Sequence, residues 1–218
     1  MQAEATISAD IIDSTYLDSV DLFRLRDYLI HFVNLIEDSL HLGWGRIVRG
    51  DGVEFVVGNQ HDALRVALLL RAYIKAFDVH CPTRAFKKTG IRIAVGLGGL
   101  RANDRFKGII DGESIYNSGR ALGRMTKDKF VIMSPYRKCE LIFRALSMLL
   151  GALLDRATAK QCHVLFMRLQ GMTERQIADR LGVSPIAVWG HLNKVGWRAI
   201  SEALLLFERL NFERGCSA

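Results

Sequence analysis

Hydrophobic and polar positions alternate in blocks that predict a mixed sheet in the first part of the chain. Four segments have the composition of β-strands, at residues 5–12, 46–48, 53–57 and 91–100. Two segments carry apolar residues at helical spacing, at residues 19–40 and 61–77. The resulting order, β-α-β-β-α-β, predicts a ferredoxin-like α+β sheet domain with its helices on one face.

The pattern continues with a polar segment at residues 101–111, which we predict to be a loop, a helix at 112–125 and a last strand at 129–133. Gly96, Gly98 and Gly99 form a weak phosphate-binding signal, and we interpret them as allowing a bend or close packing at a strand end. Residues 136–155 then form an apolar helix, with leucines at many of its positions. Two interpretations of this connecting helix stay open: it buries its face on its own sheet, or it forms the seam of a dimer.

The last 60 residues predict three short helices with clear start and stop signals. Thr158 with Gln161, and Thr173 with Gln176, are capping-box patterns at the first two helices. Ser184 followed by Pro185 is a typical start for the third. Residues 181–183, Leu-Gly-Val, form the turn between the second and third helices. Two helices that cross steeply need a small residue at the crossing and a turn residue that accepts positive φ, and Ala178 and Gly182 supply these.

This segment, GMTERQIADRLGVSPIAVWGHLNKV, resembles the helix-turn-helix of sigma-factor region 4 and of LuxR-type regulators. The resemblance implies that the helix at residues 184–194 lies in the major groove of double-stranded DNA. The DNA-binding residues that it implies are Thr173, Arg175 and Lys194 at phosphates, and Ser184, Pro185, Ala187, Trp189, His191 and Asn193 at or near base edges. A single domain of this kind binds weakly, so we expect a homodimer on paired half-sites.

Composition agrees with a polyanionic partner but does not require one. The net charge is +7, and half of the residues are hydrophobic, as in ordinary globular proteins. The longest apolar run, residues 145–154, is too short to cross a bilayer, and residues 1–9 do not resemble a signal peptide. The four cysteines do not have the spacing of metal ligands, and we expect them to be isolated thiols. We therefore expect a cytoplasmic protein without a membrane partner.

Two carboxylates suggest a metal site at one end of the predicted sheet. Asp10 follows the first strand, and Asp51 lies in the hairpin between the next two. With the backbone carbonyl of Ile11, they form a donor set that suits Mg²⁺ carrying a nucleotide or phosphate ligand. The same donors suit two-metal phosphoryl chemistry. The alternative is a structural role for both residues: the Asp10 side chain caps nearby backbone, and Asp51 forms the turn of the hairpin.

The segments ADIIDST, GDGVEF, RIAVGLGG and GESIYNSGRALGRM resemble class III nucleotidyl cyclases, and the chain's start and hairpin resemble the SatD family even more closely. The cyclase resemblance implies a metal at Asp10, Ile11 and Asp51, and nucleotide contacts at Arg49 and Arg120. The sequence differs from the cyclase pattern at Ile47, Tyr116, Asn117 and Asp13. Because they fall at base-selecting and phosphate-binding positions, we expect this domain to be non-catalytic.

The hypothesis is a bacterial-type transcription regulator in three parts. Residues 1–135 form a cyclase-like sensor or dimerisation domain, residues 136–157 the connecting helix, and residues 158–218 an all-α helix-turn-helix domain. One alternative is a Mg²⁺-dependent nucleotidyl cyclase or nucleotide-processing enzyme with an attached helix-turn-helix. Another is an adaptor whose helices bind a protein instead of DNA.

Overall fold

The computed structural model describes residues 4–48, 50–79, 89–127 and 129–212. Its strands are Ala5–Ile11 (β1), Gly43–Val48 (β2), Gly52–Val57 (β3), Ile91–Gly96 (β4), Leu100–Asp104 (β5), Ile109–Gly112 (β6) and Phe130–Met133 (β7). Its α-helices are Ser19–Asn34 (α1), Ala63–Lys75 (α2), Glu113–Arg124 (α3), Glu140–Arg156 (α4), Ala159–Leu169 (α5), Glu174–Leu181 (α6), Pro185–Val195 (α7) and Trp197–Arg209 (α8). A π-helical turn, Leu35–Ser39, continues α1.

Five strands form one mixed sheet in the order β2-β3-β1-β4-β7. Each neighbouring pair among the first four strands is antiparallel, and β7 joins β4 in parallel. The β-α-β-β-α-β order expected from the sequence is therefore present, and the α+β class is confirmed. The centre of the sheet is β1, which pairs with β3 on one side and β4 on the other, so the side chains at its end lie between two neighbours.

The two faces of the sheet bury different kinds of side chain, because successive side chains of β1 point to opposite faces. Ile7 and Ala9 belong to the main hydrophobic core, together with apolar residues of α1 and α2. Thr6 and Ser8 point the other way and lie within 3.0 and 2.9 Å of the Ser118 hydroxyl on α3. The prediction of helices on one face, made for the β-α-β-β-α-β unit, therefore holds for α1 and α2. Helix α3 follows that unit and packs on the opposite face.

The close approach of α3 to the sheet depends on Gly96. A Cβ at this position would collide with the backbone of Ser114 and Ser118 on α3. The interpretation of this glycine as a close-packing residue is therefore confirmed.

Residues 101–111 were expected to be a loop, and this expectation is wrong. They contribute most of an antiparallel hairpin, β5–β6, with an irregularity in register between Leu100 and Ala102. The Trp44 indole N–H donates to Asn103 Oδ1 at 2.9 Å and so ties the hairpin to β2. Because most of the hairpin is exposed or half-buried, its strands lack the apolar alternation by which a strand is recognised.

Helix α4 runs along β7, an edge strand of the sheet. Its residues Phe143, Ser147, Leu150 and Leu154 are buried. The Ser147 hydroxyl accepts a hydrogen bond from the Ile132 N–H at 2.9 Å and so satisfies a backbone donor of the edge strand. One face of the connecting helix thus packs on its own sheet, which was one of the two interpretations. The opposite face is exposed.

The core continues from the sheet into the C-terminal helices. Phe166 on α5 has its ring 4.8 Å from that of Tyr73 on α2 and 6.4 Å from that of Phe32 on α1. The Arg65 guanidinium donates to the Leu169 carbonyl at the end of α5. The proposed boundary between residues 157 and 158 therefore does not separate two hydrophobic cores, since residues on both sides share one cluster.

Buried Arg71 on α2 joins the sheet to the end of α4. It donates to the carbonyls of Ile91 and Lys129 at 3.0 and 2.8 Å and forms an ion pair with Asp155. Burial lowers the pKa of its guanidinium. Because a buried charge is costly without partners, these contacts fix α4 relative to β4 and β7.

Among the described residues, none of the helices is long and apolar enough to span a membrane. Cys139 is disulfide-bonded, whereas Cys162 is a free, buried thiol. The expectation that all four cysteines are isolated thiols is therefore wrong at Cys139, and the argument from cysteine usage to a reducing compartment fails there.

Candidate functional site

The turn between α6 and α7 has the geometry that its sequence predicts. Thr173 and Gln176 form a reciprocal capping box that starts α6. Gly182 ends the helix in the left-handed region, at φ 64° and ψ 35°, where residues with a Cβ are disfavoured. The Val183 N–H donates to the Ala178 carbonyl at 3.1 Å and closes the turn. Ala178 itself is buried, so the two helices meet at a small side chain.

Ser184 is the N-cap of α7, and its hydroxyl accepts a hydrogen bond from the Ala187 N–H at 3.2 Å. Pro185 occupies the first turn, as expected. The inner face of α7 buries Val188 and Leu192 in a small cluster with α5 and α6, completed by Val164, Met167, Ile177 and Ala178. This cluster fixes the orientation of α7 on the two helices before it.

The outer face of α7 is open to solvent along its length. Ile186 and Trp189 are 80% and 55% exposed, and Ala187, Asn193 and Lys194 are exposed as well. His191 is half-buried, and its Nδ1 has no hydrogen-bond partner within the described part of the chain. Most of the described residues on this face are therefore accessible to solvent.

The remaining residues assigned to DNA are exposed as well. Thr173 and Arg175 are exposed at the start of α6, and Ser184 and Pro185 are exposed at the start of α7. Sequence reasoning missed Ile186, the most exposed large apolar residue of α7. Helical spacing could have identified it, since Ile186 precedes Trp189 by three residues and Asn193 by seven and therefore shares their face of the helix.

The net positive charge of the C-terminal helices favours binding of an anionic ligand. Residues 158–212 contain seven Lys or Arg and four Asp or Glu. Arg175, Arg180, Lys194 and Arg198 are all exposed. The excess is moderate, so it supports attraction to phosphates without specifying a sequence.

The second candidate site lies at the end of β1, where the structure brings the hairpin close to the strand. The Ile11 N–H donates to the Asp51 carbonyl at 3.3 Å. Asp10 is paired in register with Gly52 on one side and with Arg92 on the other. The convergence expected for Asp10 and Asp51 at one end of the sheet is therefore present in the backbone.

Both carboxylates already have partners in the protein. Asp10 accepts two hydrogen bonds from the Arg92 guanidinium, one of them 3.0 Å long. The Asp51 carboxylate accepts a hydrogen bond from the Ser14 hydroxyl. These contacts raise the pKa of Arg92, mainly through the hydrogen bonds to Asp10 and further through the nearby charges of Asp13 and Asp51. A cation that used Asp10 would have to displace Arg92 or share the carboxylate with it.

Two further expectations concern nucleotide contacts. Arg49 lies outside the described residues. Arg120 is exposed on α3, 5.6 Å from the centre of the Tyr116 ring, and it lines a cleft beside the β5–β6 hairpin with Asn117 and Glu113. Among the residues that the structure describes, no group of three or more His, Cys, Asp or Glu is arranged to hold a metal ion. Metal and nucleotide binding therefore stay predictions.

Comparison with known proteins finds similarity among solved structures alone. No family model matches the chain, and no curated protein matches it. Among solved structures, the chain is similar to the catalytic core of a rhodopsin-guanylyl cyclase with converted specificity, in complex with ATPαS. The TM-score is 0.42 at 16% identity, over 57% of this chain and 73% of that one. A similarity of this size establishes neither a common fold nor a common activity.

Proposed function

We propose that the protein is a DNA-binding transcriptional regulator in which α6, the turn and α7 form a helix-turn-helix. The observation that carries the proposal is that α7 has a buried inner face and an exposed outer face. A recognition helix needs both: the inner face fixes its angle, and the outer face enters the groove. An α-helix with its side chains is about 10–12 Å wide, which matches a major groove about 12 Å wide.

The residues of this surface divide into two roles by position. Lys194, Arg175 and the Thr173 hydroxyl face the sides of the groove and bind phosphates, which fixes register without reading sequence. Asn193, His191 and Trp189 lie on the exposed helix and contact base edges. Asn193 has the donor and acceptor needed to read adenine, and each such contact discriminates by about 1–3 kcal/mol.

Selection of bound duplexes from a random library tests the proposal. We expect the wild-type protein to enrich a sequence motif, and Asn193→Ala to weaken binding to it roughly 5- to 150-fold. Lys194→Ala should lower the slope of log affinity against log salt by about 1. Lys107→Ala, an exposed lysine on the β5–β6 hairpin, is the matched control and should change neither. If no sequence is enriched and no salt-sensitive binding occurs, the helices act as a protein adaptor and the proposal fails.

The cyclase-like front domain serves in this proposal as a non-catalytic sensor or dimerisation unit. Support comes from the ion pair between Asp10 and Arg92, which occupies the carboxylate that a metal would need. The alternative is a Mg²⁺-dependent nucleotide enzyme, favoured by the convergence of Asp10 and Asp51. Incubation with ATP or GTP and Mn²⁺ distinguishes the two. Product that disappears in Asp10→Ala and Asp51→Ala would establish the enzyme.

A further inference from the structure

The first half of α7 presents large apolar side chains to solvent. Ile186 is 80% exposed and Trp189 is 55% exposed. Among the large apolar residues that the structure describes, only Phe106, in the turn of the β5–β6 hairpin, is more exposed than Ile186. Because Ile186 and Trp189 are three positions apart on the helix, their side chains are neighbours on one face. A partner that covers them removes apolar surface from water, which is favourable.

Hydrogen-bonding side chains are scarce in the same half of α7. The Ser184 hydroxyl already accepts the N-cap hydrogen bond from the Ala187 N–H. Residues 185–188 are Pro, Ile, Ala and Val, and none of them carries a polar side-chain group. His191 and Asn193 lie in the second half of the helix. In a helix-turn-helix, the N-terminal residues of the second helix contact base edges. This part of α7 therefore has apolar contact as its main means of distinguishing bases.

We propose that Ile186, with the Trp189 ring beside it, binds the 5-methyl group of a thymine in the major groove and so selects thymine over cytosine at one position. The proposal rests on the proposed function, since it concerns the same face of α7 in the same duplex. The thymine methyl is the alkyl group that base edges present in this groove, and apolar side chains contact it. Cytosine carries a hydrogen in its place and an amino donor beside it, which an apolar side chain leaves unpaired.

Two observations favour a duplex as the occupant of this face. Arg175, Lys194 and Arg198 are exposed on α6, α7 and α8, and a partner with only apolar surface would not neutralise them. A duplex offers phosphates and thymine methyl groups together. The second observation is Gly190, which follows Ile186 by four positions and so lies beside it on the helix. A Cβ at Gly190 would meet no described atom within 4 Å, so the glycine leaves space for a base edge to approach.

Deoxyuridine in place of single thymines tests the inference, since it keeps the base-pairing edge and lacks only the methyl group. With the full chain and the duplex enriched from the random library, we expect one thymine at which uracil weakens wild-type binding about three- to fivefold, as for one buried methyl. Ile186→Ala should weaken binding to the thymine duplex at least as much, and it should not respond to uracil at that position. Ile109→Ala, at an exposed isoleucine of β6, is the matched control and should behave like the wild type on both duplexes.

Ile186→Val separates the methyl contact from a general effect of substitution on α7. Valine keeps most of the apolar side chain, so this variant should keep most of the uracil effect. The inference is overturned if no uracil substitution changes wild-type affinity. It is also overturned if Ile186→Ala responds to uracil as the wild type does, since another residue would then contact the methyl. Either result leaves the enriched motif and its salt dependence intact, so the proposed function would stand. A library without enrichment contradicts both.

Discussion

The shared core makes a quantitative prediction about Phe166. This ring is 9% exposed and lies between α5 and the two helices that cover the sheet, so Phe166→Ala removes contacts on both sides of the predicted domain boundary. Truncation of a buried Phe to Ala costs about 3–5 kcal/mol, and the residual exposure favours the lower end. With a urea m-value of about 3 kcal/mol/M for a chain of this size, a loss of about 3 kcal/mol moves the midpoint down by about 1 M.

Tryptophan fluorescence can follow the unfolding of the sheet and of the C-terminal helices separately. Trp44 lies on β2, and Trp197 begins α8. In variants whose sole tryptophan is Trp44 or Trp197, with Trp189 also replaced, we expect both signals to report the same midpoint and the same shift on Phe166→Ala. Phe106→Ala, at an exposed position, should change stability by less than about 0.5 kcal/mol. The reasoning is refuted if the Trp197 signal shifts while the Trp44 signal does not, because the C-terminal helices would then unfold independently of the sheet.

Three further predictions concern single side chains. Val188→Ala should lower the free energy of unfolding by about 2 kcal/mol, measured by urea titration, because Val188 is fully buried between α5, α6 and α7. Arg92→Leu should change stability by no more than about 1 kcal/mol, since its ion pair with Asp10 is partly exposed, and a much larger loss would show that the pair is structural. The pKa of His163 lies below the ordinary value of 6.5, through partial burial and the charge of Arg180. Because unfolded protein then binds more protons, stability should fall as the pH drops below about 6.5, and His163→Gln should flatten that part of the profile.

The C-terminal helices were predictable because their signals are local. Thr158, Thr173 and Ser184 each accept a hydrogen bond from a backbone N–H in the first turn of the helix that they start. Gly182 takes the positive φ that the turn needs. Every one of these contacts joins residues within a few positions of each other, so a single sequence contains the whole interaction.

The long-range contacts were not predictable in the same way. Arg92 meets Asp10 only because β4 pairs with β1 in one register, and a sequence does not specify that register. The polar hairpin β5–β6 lacks a buried face, so its residues carry no alternation. The apolar residues of α5 indicated burial, yet nothing in their spacing showed that Phe166 contacts the sheet helices while Val164 faces α6 and α7.

Site-specific photocrosslinking tests the central claim most directly. Benzoylphenylalanine in place of Ala187, on the open face of α7, should crosslink to a duplex taken from the selected pool. The same group in place of Phe106 should not crosslink, because the hairpin lies outside the proposed interface. Crosslinks from both positions, or from Phe106 alone, would contradict the assignment of α7 as the helix that enters the groove.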